Sequence, residues 1–153
     1  MKTAIIYYSY HHKNTEKIVE RMAIPLNAKI LKPEQVNLTE LMEYDLIGFG
    51  SGIYFSKHHK SLLKLASSIP AMNGKKAFIF STSGYGDSGM ERQHKALKKI
   101  LEEKGFNIVG EFSCYAFDTF FFLRLIGGIN KGRPNEEDLK KAEDFAKALA
   151  SRK

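Results

Sequence analysis

Ser9, Asn14 and Thr15 lie in a polar stretch, "SYHHKNT", between an apolar run, "TAIIYY", and a segment with helical spacing. Hydroxyls and an amide at the start of a helix can donate hydrogen bonds to phosphate oxygens. Free backbone N–H groups and the positive end of the helix dipole strengthen that hold. The same residues would also cap an ordinary helix. Two readings therefore stand side by side: a phosphate loop that works without metal, or a capped turn. On the first reading Lys13 adds charge beside the anion, and His11 and His12 flank it. Two further stretches have site character. "GSGIYF" sets Ser51, Gly52 and Ile53 beside Tyr54 and Phe55, and "STSGYG" sets Thr82, Ser83, Gly84 and Gly86 around Tyr85. Glycine lets a backbone approach a ligand closely, and aromatic rings stack on flat partners. One phosphate loop with two aromatic loops suits a flat ring system that carries a phosphate tail.

Other phosphate chemistries lack their residues. There is no G-x-x-x-x-G-K-[ST], and no G-x-G-x-x-G follows the first apolar run. A magnesium-holding receiver site needs acids where Ser9 and Tyr10 stand. A phosphatase loop needs a cysteine in an anion-binding loop closed by arginine, whereas Cys114 falls inside a strand pattern. The histidines are His11, His12, His58, His59 and His94. Adjacent histidines point in different directions and no carboxylate spacing accompanies them, so no metal site is expected. One of His11, His58 or His59 is a candidate to steer an anion or relay a proton, against a plain surface role.

The elements that must position these loops follow from periodicity. "KTAIIYYS", "AKILK", "YDLIGFGS", "GKKAFIFSTS" and "FNIVGEFSCYAF" read as strands. "NTEKIVERMA", "KHHKSLLKLASSI", "MERQHKALKKILEEKG" and "RPNEEDLKKAEDFAKALA" read as helices. In the last, Asn135 is the expected N-cap, with Leu139, Ala142, Phe145, Ala146 and Leu149 inward. Alternating strands and helices predict one α/β domain over residues 1–153, with a parallel sheet covered on both faces. Ligands in such sheets lie beyond the carboxyl ends of the strands, where all three polar stretches fall.

Apolar residues make up 43% of the 153 and charged residues 27%, a globular composition. No run approaches the ~20 apolar residues of a membrane span, and "MKTAIIYYSYHHK" lacks the features of a signal peptide. A single cysteine fits a reducing cytoplasm. The net charge of +7 favours anionic partners, although lysines spread along the chain also describe a solvated surface. Nucleic acid is not among the expected partners.

With these stretches in hand, the chain resembles the flavodoxin-like FMN proteins over nearly its whole length. "S…NTEKI" is similar to that family's phosphate loop, "YDLIGFGSGIYF" to its third strand and flavin-stacking loop, and "FIFSTSGYGD" to its fourth strand and second flavin loop. The resemblance implies a flavodoxin-like three-layer sandwich with a five-stranded parallel sheet, order 2-1-3-4-5, and non-covalent FMN at the switch point. Ser9, Asn14 and Thr15 would bind the phosphate, and Ser51 to Tyr54 would flank the isoalloxazine. Thr82 to Tyr85 would line its other edge. His12 and Lys13 stand where the family usually has threonine and glycine, and the Ser9–Thr15 spacing is one residue longer. In this longer loop and in "GSGIYFSKHHKSL" the chain looks like the menaquinone-dependent protoporphyrinogen dehydrogenases. The positive charge also departs from the acidic carrier flavodoxins. The resemblance implies electron transfer or oxidoreduction, leaning to an FMN-dependent enzyme with a quinone-like or other small acceptor. The alternatives are an electron carrier serving a protein partner, or a regulatory domain with an empty site. "FDTFFFLRLIGGINKGR" remains, with its core at Phe120–Arg133. It reads as sheet-edge packing or a dimer contact, or as an apolar wall or membrane-surface contact rimmed by Arg124, Lys131 and Arg133.

Overall fold

The computed structural model describes residues 1–9, 14–84, 89–115 and 132–152. In chain order these form β1 (Thr3–Tyr8), α1 (Asn14–Leu26), β2 (Lys29–Leu31), β3 (Leu46–Tyr54), β4 (Lys57–His58) and α2 (Lys60–Ser68). Then come β5 (Lys76–Ser83), α3 (Met90–Glu103), β6 (Asn107–Tyr115) and α4 (Glu136–Ser151). Parallel pairing gives the path β2-β1-β3-β5-β6, with β4 attached to β3 off that path. Leaving out the two-residue β4, this is the expected order 2-1-3-4-5.

β1 is buried from Thr3 to Tyr7, as expected of a central strand with helices on both faces. On one face Ile5, Tyr7, Phe78 and Phe80 pack with Ile18, Met22, Ala142 and Ala146 of α1 and α4. On the other, Ile6, Phe49 and Ile79 pack with Leu62, Ala66, Leu97 and Leu101 of α2 and α3.

The glycines of β3 have two different causes. Gly48 pairs with Phe78 and Gly50 with Phe80. A Cβ at either glycine would come within 2.2 Å of the paired ring, so these glycines make room for phenylalanines. At Gly52 an added Cβ would meet Tyr54 at an ordinary 3.5 Å. That position is free of this packing demand.

One expectation needs correction. "KHH" does not begin a helix: Lys57 and His58 form β4, antiparallel to β3, with Ile53 opposite His58 and Tyr54 opposite Lys57. Phe55 and Ser56 close the hairpin with φ of 52° and 63°. Two positive values are what a tight two-residue turn needs. The sequence hid it because Phe-Ser lacks the Asn-Gly or Asp-Gly signature of such turns. At the start of α4 the expected cap holds: Asn135 and Asp138 form a reciprocal capping box. Gly105, at φ 92°, follows α3.

Candidate functional site

The carboxyl ends of β1, β3 and β5 meet the start of α1. There Thr15 and Thr82 are 2% and 3% exposed, and their hydroxyl oxygens lie 3.0 Å apart. One hydroxyl donates to the other, which leaves the second with a proton and no other recorded acceptor among the described residues. A buried O–H of this kind wants an acceptor. Asn14 is buried beside it and Ser9 is half-buried. Glu16, the acid in the first turn, accepts a hydrogen bond from the Tyr7 hydroxyl at 3.1 Å. Burial, then Glu16 itself, pushes the Tyr7 phenol up to about 12, so Tyr7 stays a donor. The donor set at the start of α1 fits a phosphate monoester.

Across from it stands an aromatic cluster. The Tyr8 and His59 rings stack at 3.7 Å with an 11° tilt. Tyr54 meets His59 edge-on at 5.0 Å and Tyr8 at 6.5 Å. His59 Nδ1 accepts from the Ser61 N–H at 3.1 Å, capping α2. Its proton therefore sits on Nε2. Burial, with Lys60 nearby, lowers its pKa and favours that neutral form. Ser51 is fully buried. It accepts from the His59 N–H at 3.0 Å and donates to the Gly52 carbonyl at 2.6 Å, so its hydroxyl holds the loop in shape. Ile53 is half-buried opposite His58, while Phe55 at the turn tip is 83% exposed. Ser83 is buried, donating to Gln93 Oε1 at 3.4 Å, and Gly84 is half-buried.

Beneath the site, on the α2–α3 side, is a polar layer that sequence reasoning missed. Ser51, Ser81 and Ser113 stand in register across three strands. Ser81 Oγ lies 2.7 Å from His94 Nε2 and 3.2 Å from Ser113 Oγ. His94 Nδ1 lies 3.1 Å from Glu111, whose other oxygen accepts from Lys98 at 3.0 Å. Burial lowers the His94 pKa against the opposing pull of Glu111. His58 faces His94 at 5.0 Å between rings. It donates from Nε2 to the Phe80 carbonyl at 2.9 Å, because a carbonyl only accepts. Its Nδ1 is buried with no hydrogen-bond partner among the described residues. Burial and then His94 hold its pKa down at about 3. A neutral, buried His58 cannot steer a substrate anion, so that role is withdrawn.

Of the expected site residues, Thr15 and Thr82 meet at the start of α1, which Asn14 opens; Ser9 follows β1, while Ser51 to Tyr54 and Ser83 to Gly84 end the neighbouring strands. His11, His12, Lys13, Tyr85 and Gly86 lie outside the described residues, as does the segment from Phe120 to Lys131. Sequence reading left Tyr8 out of the site and offered His59 only as a candidate to steer an anion or relay a proton. Alternation along β1 could have found Tyr8, since it sits at the carboxyl end on the same face as Ile6.

Residues 5–116 match the family model of the flavodoxin domain. The chain belongs to the flavodoxin family. It is 51% identical over 149 residues to an uncharacterized protein of Methanocaldococcus jannaschii, covering 97% of this chain and 98% of that one. Among solved structures it is similar to oxidised Flavodoxin 2 from Bacillus cereus, with TM-score 0.70 and 21% identity over 98% of both chains. It is also similar to the Fusobacterium nucleatum flavodoxin bound to flavin mononucleotide, with TM-score 0.68 and 16% identity over 97% of both chains. These two likenesses carry the fold. Among the described residues, no helix of this flavodoxin-family chain is long and apolar enough to cross a membrane, and none of their His, Cys, Asp or Glu side chains form a cluster that could hold a metal.

Proposed function

We propose that this flavodoxin-family protein binds FMN non-covalently at the carboxyl end of its sheet and passes electrons between redox partners in the cytoplasm. The flavin would supply the one- and two-electron chemistry. The protein's residues bind, orient and shield it. Asn14, Thr15 and the first N–H groups of α1 hold the phosphate, with Ser9 beside them. Tyr54 offers a ring to one side of the isoalloxazine, and Thr82 to Gly84 line its other edge. The Tyr8–His59 stack closes the floor between β1 and α2 against water.

The observation that carries this reading is the spare hydroxyl proton of the buried Thr15–Thr82 pair at the start of α1. A phosphate oxygen would accept it, and the helix dipole favours the anion there. The test is uptake of FMN against riboflavin: the protein should bind FMN more tightly by at least tenfold. Equal affinity would remove the phosphate from the site.

Within that reading, a protein electron partner is favoured by exposed cations of one helical face that pair with no described residue, set out below. A small quinone-like acceptor is the second reading, carried by the sequence likeness of the "GSGIYFSKHHKSL" region. Steady-state turnover with a soluble quinone separates the two, since a carrier shows none without a partner.

A further inference from the structure

The two helical layers treat charge in opposite ways. On the α1–α4 side cations are matched by acids. Lys140 bonds Asp144, Lys141 reaches Glu137 and Lys147 bonds Glu143, all four residues apart. Arg21 bridges α1 to Glu136 and Glu143 of α4. α4 also opens on Glu136, Glu137 and Asp138, which suits the positive end of its dipole.

The α2–α3 side departs from this pattern, although on α3 Glu91 and Lys95, and Lys99 and Glu103, also stand four residues apart without forming an ion pair. α2, "KSLLKLASS", contains no acid and opens on Lys60. Arg92 falls in the first turn of α3, beside a single acid, Glu91. Cations at a helix start are unfavourable. Lys60 and Lys64, and again Lys95 and Lys99, are like charges four residues apart, which repel on a helix face. Lys57, Lys60, Lys64, Arg92, Lys95 and Lys99 are all exposed, and none of them is in an ion pair with a described residue. Among the described residues of this face Lys98 is held, by Glu111. The remaining acids of α3, Glu102 and Glu103, are at its far end. Lys57, Lys60 and Arg92 sit where the two helices begin, the end of the molecule that carries the candidate site. Unfavourable charges left together, with no compensating ion pair among the described residues, mark a surface kept for something outside it.

We propose that the α2–α3 face docks an acidic electron-transfer protein, its contact centred on Lys60, Arg92 and Lys95 at the rim of the flavin site. This rests on the electron-transfer reading above. Charge complementarity selects the partner: clustered cations speed encounter with an acidic surface, in a way that salt screens. The placement at the helix starts brings that partner to the open end of the strands rather than to the back of the sheet.

The probe is an acidic [2Fe–2S] ferredoxin carrying a fluorescent label, titrated with the full chain and followed by anisotropy at low and high salt. Wild type should bind at about 20 mM salt and weaken steeply by about 200 mM. The triple variant Lys60→Gln, Arg92→Gln, Lys95→Gln should lose roughly tenfold or more at low salt. A control with the same charge change on the other side, Lys17→Gln, Lys140→Gln, Lys141→Gln, should lose less than about twofold, beyond the effect of net charge. Circular dichroism confirms that both triples fold. Equal losses in the two triples would overturn the proposal, as would unchanged binding in the first. It is also overturned if phosphatidylglycerol vesicles or duplex DNA bind wild type more tightly than ferredoxin does and the same triple abolishes that binding. FMN uptake, read by absorbance in the same samples, is independent of the anisotropy. A protein that docks ferredoxin but takes up no flavin would sink the flavin reading and leave the surface standing.

Discussion

The hydroxyls of Thr15 and Thr82, 67 residues apart in the chain, meet at 3.0 Å in a buried contact that ties the start of α1 to the carboxyl end of β5. The contact joins two of the three stretches that could form the site. It braces the helix against the sheet, and on the proposed reading Thr15 has a second job, presenting with Thr82 a proton to the phosphate.

Thr15→Val separates those jobs. Losing the hydroxyl leaves Thr82 without its partner, so the protein without ligand should lose about 1–2 kcal/mol of stability in a urea titration. FMN should weaken by about 1.5–3 kcal/mol, the value of a hydrogen bond to a charged group, while riboflavin weakens much less. Equal weakening of both ligands would mean that Thr15 is only a brace.

On the proposed reading the Tyr54 ring, edge-on to His59, lies against the flavin. Tyr54→Ala should loosen FMN and riboflavin alike, by about 0.5–1.5 kcal/mol for a lost ring contact. A π-face repels added negative charge, so the two-electron midpoint potential of the bound flavin should rise in the variant. A redox titration that finds both affinity and potential unchanged would take the β3–β4 hairpin out of the flavin site.

The strand glycines make an internal contrast. Gly50→Ala pushes a methyl to 2.2 Å from the Phe80 ring and should lower stability by about 1–3 kcal/mol. Gly52→Ala has 3.5 Å to its nearest neighbour and should change stability by less than ~0.5 kcal/mol. Denaturant midpoints of the two variants decide it. If Gly52→Ala is tolerated by the fold and still weakens FMN, Gly52 is there for the ligand.

How legible this molecule was in its sequence depended on the range of the signals. The strand runs, the Asn135 cap and the amphipathic faces of α3 and α4 are local, and they emerged where expected. So did the parallel sheet order, once the resemblance to the flavodoxin-like proteins was drawn. The hairpin at Phe55–Ser56 was not legible, because its positive φ values are imposed by strand pairing on residues that do not advertise them. The Ser81–His94–Glu111–Lys98 chain was hidden for another reason. It joins α3 to two strands, and only the register of β5 and β6 brings those side chains together. The reading of His58 as a candidate to steer an anion failed on the same point: β4 turns it inward, where it bonds the Phe80 carbonyl.

That buried histidine sets a pH dependence. Its pKa is held near 3 in the fold against about 6.5 in the unfolded chain. Between those values the unfolded state binds the extra proton, so stability is full above about pH 6.5 and falls as the pH drops toward 3. His94, also lowered, pulls the same way. At about 1.4 kcal/mol per unit, acidification to pH 4 should remove about 3 kcal/mol through His58. His58→Gln keeps a donor for the Phe80 carbonyl but does not titrate. The slope of stability against pH between 4 and 6.5 should flatten in that variant; an unchanged slope would place the acid sensitivity elsewhere.

The central claim is that the three strand ends hold FMN, and the most direct measurement is the absorption spectrum of the full chain after incubation with flavin and removal of the excess. The account predicts flavin bands that survive gel filtration, with a ligand released on denaturation that is FMN and not FAD, because the start of α1 offers donors for one phosphate group. A colourless protein after incubation with FMN, or retention of FAD in preference to FMN, would contradict it.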